Sequence, residues 1–159
     1  MSFLRIESAL NTCQAHLNSL DSADPNSAEI EAHIVSSLIL LIVSEYEELI
    51  EGMFVDRASL CGDTHVISYV RTMISQKLRS PDLRKIRGIL GQFGSDYKQN
   101  FNAKIENTEY EAAWGNIMQA RHAIVHKSGT LNITFGELVA SYPKTKIVIS
   151  ELKNTLGIP

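Results

Sequence analysis

Cysteine is scarce in this chain, and so are proline and glycine. Its 159 residues include two cysteines, four prolines and nine glycines. Cys13 and Cys61 fit no metal-ligand spacing, which argues against a zinc module. They are expected as free thiols of a reducing compartment rather than as a disulfide. So little proline and glycine, beside 21% charged residues, excludes a wholly disordered chain. There is no basic excess either. The formal net charge is −3, so any contact with nucleic acid needs a local patch. The longest uninterrupted apolar run, Leu38 to Val43, is too short to cross a bilayer. The opening MSFLRIESALNTC has no basic segment leading into an apolar one, so no secretory signal is expected. Together these absences predict a soluble cytoplasmic protein with no membrane partner. With 44% hydrophobic residues, the chain is expected to form one domain over 1–159 with a real core.

Apolar spacings of three and four run through most of the chain. Phe3, Ile6, Leu10, Cys13 and Leu17 predict a helix from a cap at Ser2 to about Leu20. Pro25, in DSADPNS, marks a loop. Ser27 is expected to cap a long second helix reaching about Ala58, whose wide apolar face makes it the central one. Asp63 caps a third helix with Val66, Ile67, Val70, Met73, Ile74 and Leu78 inward. Pro81 stands near the first position of a short helix from Asp82 to Gln92. Gly94 breaks it, and Ser95 begins another piece. Asn107 or Thr108 caps the next helix, which Lys127 and Gly129 end. Thr134 and Glu137 fit a capping box. The last helix is expected to break at Pro143 and resume through Ile147 and Leu156, with a strand at Lys146 to Ser150 as the alternative. The class is all-α, an antiparallel helical bundle of five to six helices.

The most informative stretch is Trp114 to Gly129, WGNIMQARHAIVHKSG. On a wheel with Arg121 at zero, Trp114, Ile117, Met118, Ile124 and Val125 fall within roughly 60°. The arginine thus stands in the middle of an apolar stripe, where an unpaired cation is expensive. His122 and His126 lie on the flank, at roughly 100° and 140°. Arg121 and His126 are about 140° apart and about 7.5 Å along the axis. One regular helix cannot aim both at one atom. Either the helix distorts near its end, or two copies meet and complete the pair across a two-fold axis. The bland reading is an arginine paired with a glutamate of the second helix, Glu45 or Glu48, and an exposed histidine.

Arg121-His-Ala-Ile-Val-His126, late in a helix and followed by Lys-Ser-Gly, resembles the R-x4-6-H motif of the HEPN superfamily. The RiboL-PSP-type group is the nearest variety. The usual polar residue after the arginine is here His122. The long second helix, rich in apolar residues and acids, and the Thr134 helix start add to the resemblance. It implies an all-α, HEPN-like domain that dimerises so that two motifs face one cleft. It further implies a metal-independent endoribonuclease without a cofactor, a toxin or defence effector, with an antitoxin or other protein as a further partner. By motif position Arg121 would stabilise the phosphate, His126 would be the acid or base, and His122 would orient the site or bind RNA. The chemistry suits these residue types. An arginine fork holds phosphate oxygens, and an imidazole can move protons near neutral pH. The alternatives are a non-catalytic HEPN module that binds nucleotide, RNA or a protein, and a structural adaptor built on the arginine–glutamate pair.

A basic run, Lys77, Arg79, Arg84, Lys85 and Arg87, is either an RNA-backbone track or a solvated face, and Lys127 sits beside the motif. His122 and His126 are at chelating spacing, but no third ligand is evident, so no metal site is expected. Trp114 is expected in the core or a dimer interface. Phe93 and Tyr97 lie near the basic run, and core packing is expected over base stacking.

Overall fold

Seven helices carry the chain in the computed structural model, which describes residues 3–20, 25–126 and 131–158. They are α1 (Leu4–Ser19), α2 (Ser27–Ser59), α3 (Thr64–Lys77), α4 (Leu83–Phe93), α5 (Ser95–Ile105), α6 (Glu109–His126) and α7 (Phe135–Leu156). No strand occurs among the described residues, so the IVI segment continues α7. The bundle has one helix more than the five to six expected. Gly94 parts α4 from α5 as the sequence predicts, and a Cβ there would meet the Tyr97 ring at 3.2 Å, closer than ordinary contact. The expected cap at Ser2, together with Lys127 and Gly129, lies outside the described residues.

The spine is α2, which packs against α1, α3, α6 and α7. Ile39, Ile42, Tyr46, Ile50 and Phe54 are fully buried along it. This helix corrects the reading from uninterrupted runs. It contains an 18-residue window long and apolar enough, by length and composition, to cross a membrane. Serines interrupt the run without lowering its mean hydropathy far. The core helix of a bundle passes the same test, and α2 fills that place here.

One aromatic stack ties the spine to α6. Trp114 is 1% exposed and lies parallel on Tyr46, with ring centroids 5.1 Å apart. Its indole N–H donates to the Pro81 carbonyl at 2.9 Å, which fixes the approach to α4. The Tyr46 hydroxyl shares a 2.6 Å hydrogen bond with the Thr145 hydroxyl of α7. Burial pushes the Tyr46 phenol well above its ordinary value, so it stays neutral in the core.

Several caps form as the sequence predicts. The Asp63 carboxylate accepts from the N–H groups of His65 and Val66. Thr134 and Glu137 make the reciprocal capping box. Ser27 is instead the first residue of α2, and Asn26 precedes it. Pro81 lies before the α4 cap, which is Asp82. Pro143 does not interrupt α7. It stands on the exposed side, one turn after exposed Val139, so the carbonyl it leaves unbonded can meet water. The inner face foreseen for α3 is only partly inner. Ile74 is buried and Val66 is 44% exposed, because α3 packs on α2 alone among its larger contacts.

Thr108 starts α6 by accepting from the Glu111 N–H at 3.3 Å. The Glu111 carboxylate reaches back to the Asn107 N–H at 2.7 Å and pairs with Arg87 at 2.8 Å. Burial alone would raise its pKa. The Asn107 hydrogen bond and Arg87 outweigh that and hold it below the ordinary value. A carboxyl lowered on folding adds stability above its unfolded value and loses it as pH falls through the folded one. Glu111→Gln should therefore cost about 1 kcal/mol near neutrality and progressively less in acid, as urea midpoints across pH would show.

Candidate functional site

The first half of α6 is more deeply anchored than its end, where Ile124 still packs on the edge of the core. Ala113, Trp114, Ile117, Met118 and Ala120 are buried. Beyond Ala120 burial fades: Arg121 and Ile124 are half-buried, Val125 is 48% exposed, and His122 and His126 are exposed. The stripe seen on the wheel is real, but it leaves the core one residue before the arginine. This removes the expected penalty of a fully buried cation, since Arg121 reaches solvent.

Arg121 makes no hydrogen bond or ion pair with any described residue. Neither glutamate expected to pair with it does so. Glu45 is engaged by Arg5 at 2.6 Å, and Glu48 is exposed. The carboxylate that feels Arg121 is half-buried Glu47. Burial pushes the Glu47 carboxyl up, Arg121 and Lys85 pull it down, and Glu51 pushes it up again, with a raised value as the result. The reason is angular. Glu45 and Glu48 leave α2 about 200° and 100° around the axis from Glu47, away from the α6 side.

The helix is regular as far as His126, so it does not distort to bring Arg121 and His126 together. What it does bring together is the histidine pair. The His122 and His126 rings lie 4.3 Å apart, tilted by 48°. Among the described residues no third His, Cys, Asp or Glu joins them in a group that could hold a metal.

The basic run is divided. Arg87 is held inside the fold by Glu111 and by a 2.8 Å bond from its Nε to Asn102. Lys77 donates to Gln92 at 3.1 Å, and Lys85 stands 3.7 Å from the Asp82 carboxylate. Arg79 and Arg84 are exposed. Lys85 is the member whose charge reaches the same Glu47 as Arg121. The aromatics near the run belong to the packing. Phe93 tilts on Phe54 at 5.4 Å, and the Tyr97 hydroxyl accepts from Arg57.

Sequence reasoning passed over Glu47, which was hidden among the four glutamates in the second half of α2, Glu45, Glu47, Glu48 and Glu51. It also missed a pocket between α6 and α7. Its residues come from α6, α7 and the segment that leads into α7, so no spacing within one segment could reveal it.

Comparison with known proteins agrees with the helix order. The model of the RiboL-PSP-HEPN family matches residues 2–157. No curated protein and no solved structure matches the chain. With seven helices and an Arg121–His126 motif at the solvent end of α6, and with that model running over nearly its whole length, the chain belongs to the RiboL-PSP-HEPN family.

Proposed function

We propose that this protein is a homodimeric, metal-independent endoribonuclease that cleaves RNA by attack of a 2'-hydroxyl on the neighbouring phosphate. Family membership supports a nuclease or RNA-related module. The observation that carries the finer reading is the free end of α6. It presents a cation with no acid within ion-pairing distance among the described residues, and two exposed imidazoles around the same turn. An unpaired guanidinium on a half-exposed surface is an open anion site.

In the reaction one histidine takes the 2'-hydroxyl proton and the oxygen bonds to phosphorus. Arg121 holds the phosphorane oxygens as negative charge builds. The bond to the 5' oxygen breaks, and a second histidine protonates that oxygen. The products are a 2',3'-cyclic phosphate and a 5'-hydroxyl. His126 is the acid or base, and His122 orients it or binds RNA.

A regular α6 holds Arg121 and His126 apart within one chain. The two-fold partner supplies what one chain cannot. Exposed Val125 offers apolar surface for that contact. Arg79, Arg84 and Lys85 serve as outer contacts for the RNA backbone. A toxin or defence role, with an antitoxin or other partner protein, fits such an enzyme in the cytoplasm.

Purified protein should cut single-stranded RNA in excess EDTA and leave cyclic phosphate ends, seen by mass spectrometry of the fragments. Cleavage that stops on chelation and returns with metal, or fragments ending in a 5'-phosphate, would sink the mechanism. Intact RNA throughout would favour a non-catalytic module.

A further inference from the structure

The pocket between α6 and α7 has a volume of about 370 Å³. That falls within the roughly 300–1,000 Å³ usual for small-molecule sites. Its α6 wall is Asn116, Gln119, Ala120 and Ala123, at i, i+3, i+4 and i+7, which is one stripe. Three residues further along the stripe stands His126, about 4.5 Å beyond Ala123 on the axis. The opposite wall carries Asn132 and Ser141.

None of the side chains of Asn116, Gln119, Asn132 and Ser141 forms a hydrogen bond with another described residue. Three amides and a hydroxyl therefore line the space, with donors and acceptors that no described residue takes up. Ala120 and Ala123 leave the floor low enough for a flat ring to enter. Among the described residues no cation lines the pocket, and the charge there is Glu137. The Thr134 N–H and hydroxyl both bond to Glu137 Oε2, which holds the carboxyl below its ordinary range and leaves Oε1 to accept. Amides match the edges of nucleobases, and a carboxylate accepts from an exocyclic amino group while repelling a carbonyl edge.

We propose that this pocket is a nucleobase subsite, which takes the base beside the phosphate handled at His126 and selects adenine, cytosine and guanine over uracil. The placement beside a scissile phosphate rests on the nuclease reading. The recognition of the base does not.

The test titrates the four nucleoside 3'-monophosphates into the full-length, 15N-labelled protein and follows backbone amides by NMR. The adenosine, cytidine and guanosine forms should shift Gln119, Ala123 and Ser141 and bind about tenfold more tightly than the uridine form, the worth of one hydrogen bond to a charged group. Ala123→Phe, which fills the floor, should abolish the shifts. Gln119→Ala, an exposed change that leaves packing alone, should weaken binding about tenfold. An RNA oligonucleotide should displace the mononucleotide, and a mononucleotide that RNA cannot displace overturns the assignment to an RNA strand. Uridine bound as tightly as the others overturns the selection. If RNA is cut without base preference and no nucleotide shifts the pocket, the subsite falls and the nuclease reading stands. If the pocket binds the amino bases but no RNA is cut, the base site stands and the nuclease reading falls.

Discussion

RNA cleavage should fall by about 100-fold or more in Arg121→Ala, and by at least as much in His126→Ala. In the proposed reaction the arginine meets the charge that develops on phosphorus, and the histidine moves a proton. The stability of both variants should change by only about 0.5 kcal/mol, because His126 is exposed and Arg121 pairs with no described residue. That pairing of results separates the nuclease from the structural adaptor, for which losing the arginine would strand a carboxylate and cost roughly 3 kcal/mol or more. A mixing experiment goes further. The mechanism needs His126 from both chains, so a dimer of one wild-type and one His126→Ala chain lacks its second proton carrier. Wild-type chains mixed with an excess of His126→Ala chains and allowed to exchange should therefore lose cleavage well beyond simple dilution. Loss by dilution alone, with exchange shown by mass, would place the reaction within one chain. Full cleavage by either variant alone would remove its residue from the chemistry.

Trp114→Ala should be the most damaging single change to stability, at about 3–5 kcal/mol. The side chain is 1% exposed, stacks on Tyr46 at 5.1 Å and satisfies the Pro81 carbonyl. Truncation would open a void among α2, α6 and the start of α4 and leave that carbonyl without its donor. Trp114→Phe keeps most of the ring and loses the N–H, so its cost should be about 1–3 kcal/mol, the penalty of an unpaired buried acceptor. Urea unfolding followed by circular dichroism measures both. If Trp114→Ala costs no more than Trp114→Phe, the stack is not what holds α6 to the spine.

The order of helices was legible because apolar spacing and caps agreed: Asp63 and the Thr134–Glu137 box each begin a helix where expected. Pro143 misled because a missing N–H is harmful only where water cannot reach the orphaned carbonyl, and exposure is a tertiary property. The face of α3 misled for a similar reason. Periodicity shows which residues share a side, not whether a neighbour covers it. At the site, Arg121, His122 and His126 could be singled out because they lie within one short stretch of one helix. The acid facing Arg121 could not, since choosing Glu47 over Glu45 or Glu48 requires the rotation of α2 against α6. The α6–α7 pocket was out of reach altogether, being made by the docking of two helices.

Helix α6 is a cantilever. It is clamped from Ala113 to Ala120 and carries Arg121 and His126 on its less buried tip, with no loop between clamp and tip. The stretch from Ala120 to His126, about 9 Å of α-helix, is too stiff to bend much under thermal forces. Arg121 and His126 therefore inherit their position from a buried aromatic stack. If two such beams meet tip to tip, the tolerance of the cleft between them is set by the two clamps. Loosening Tyr46 or Trp114 a little would then blunt the tip before it unfolded the beam.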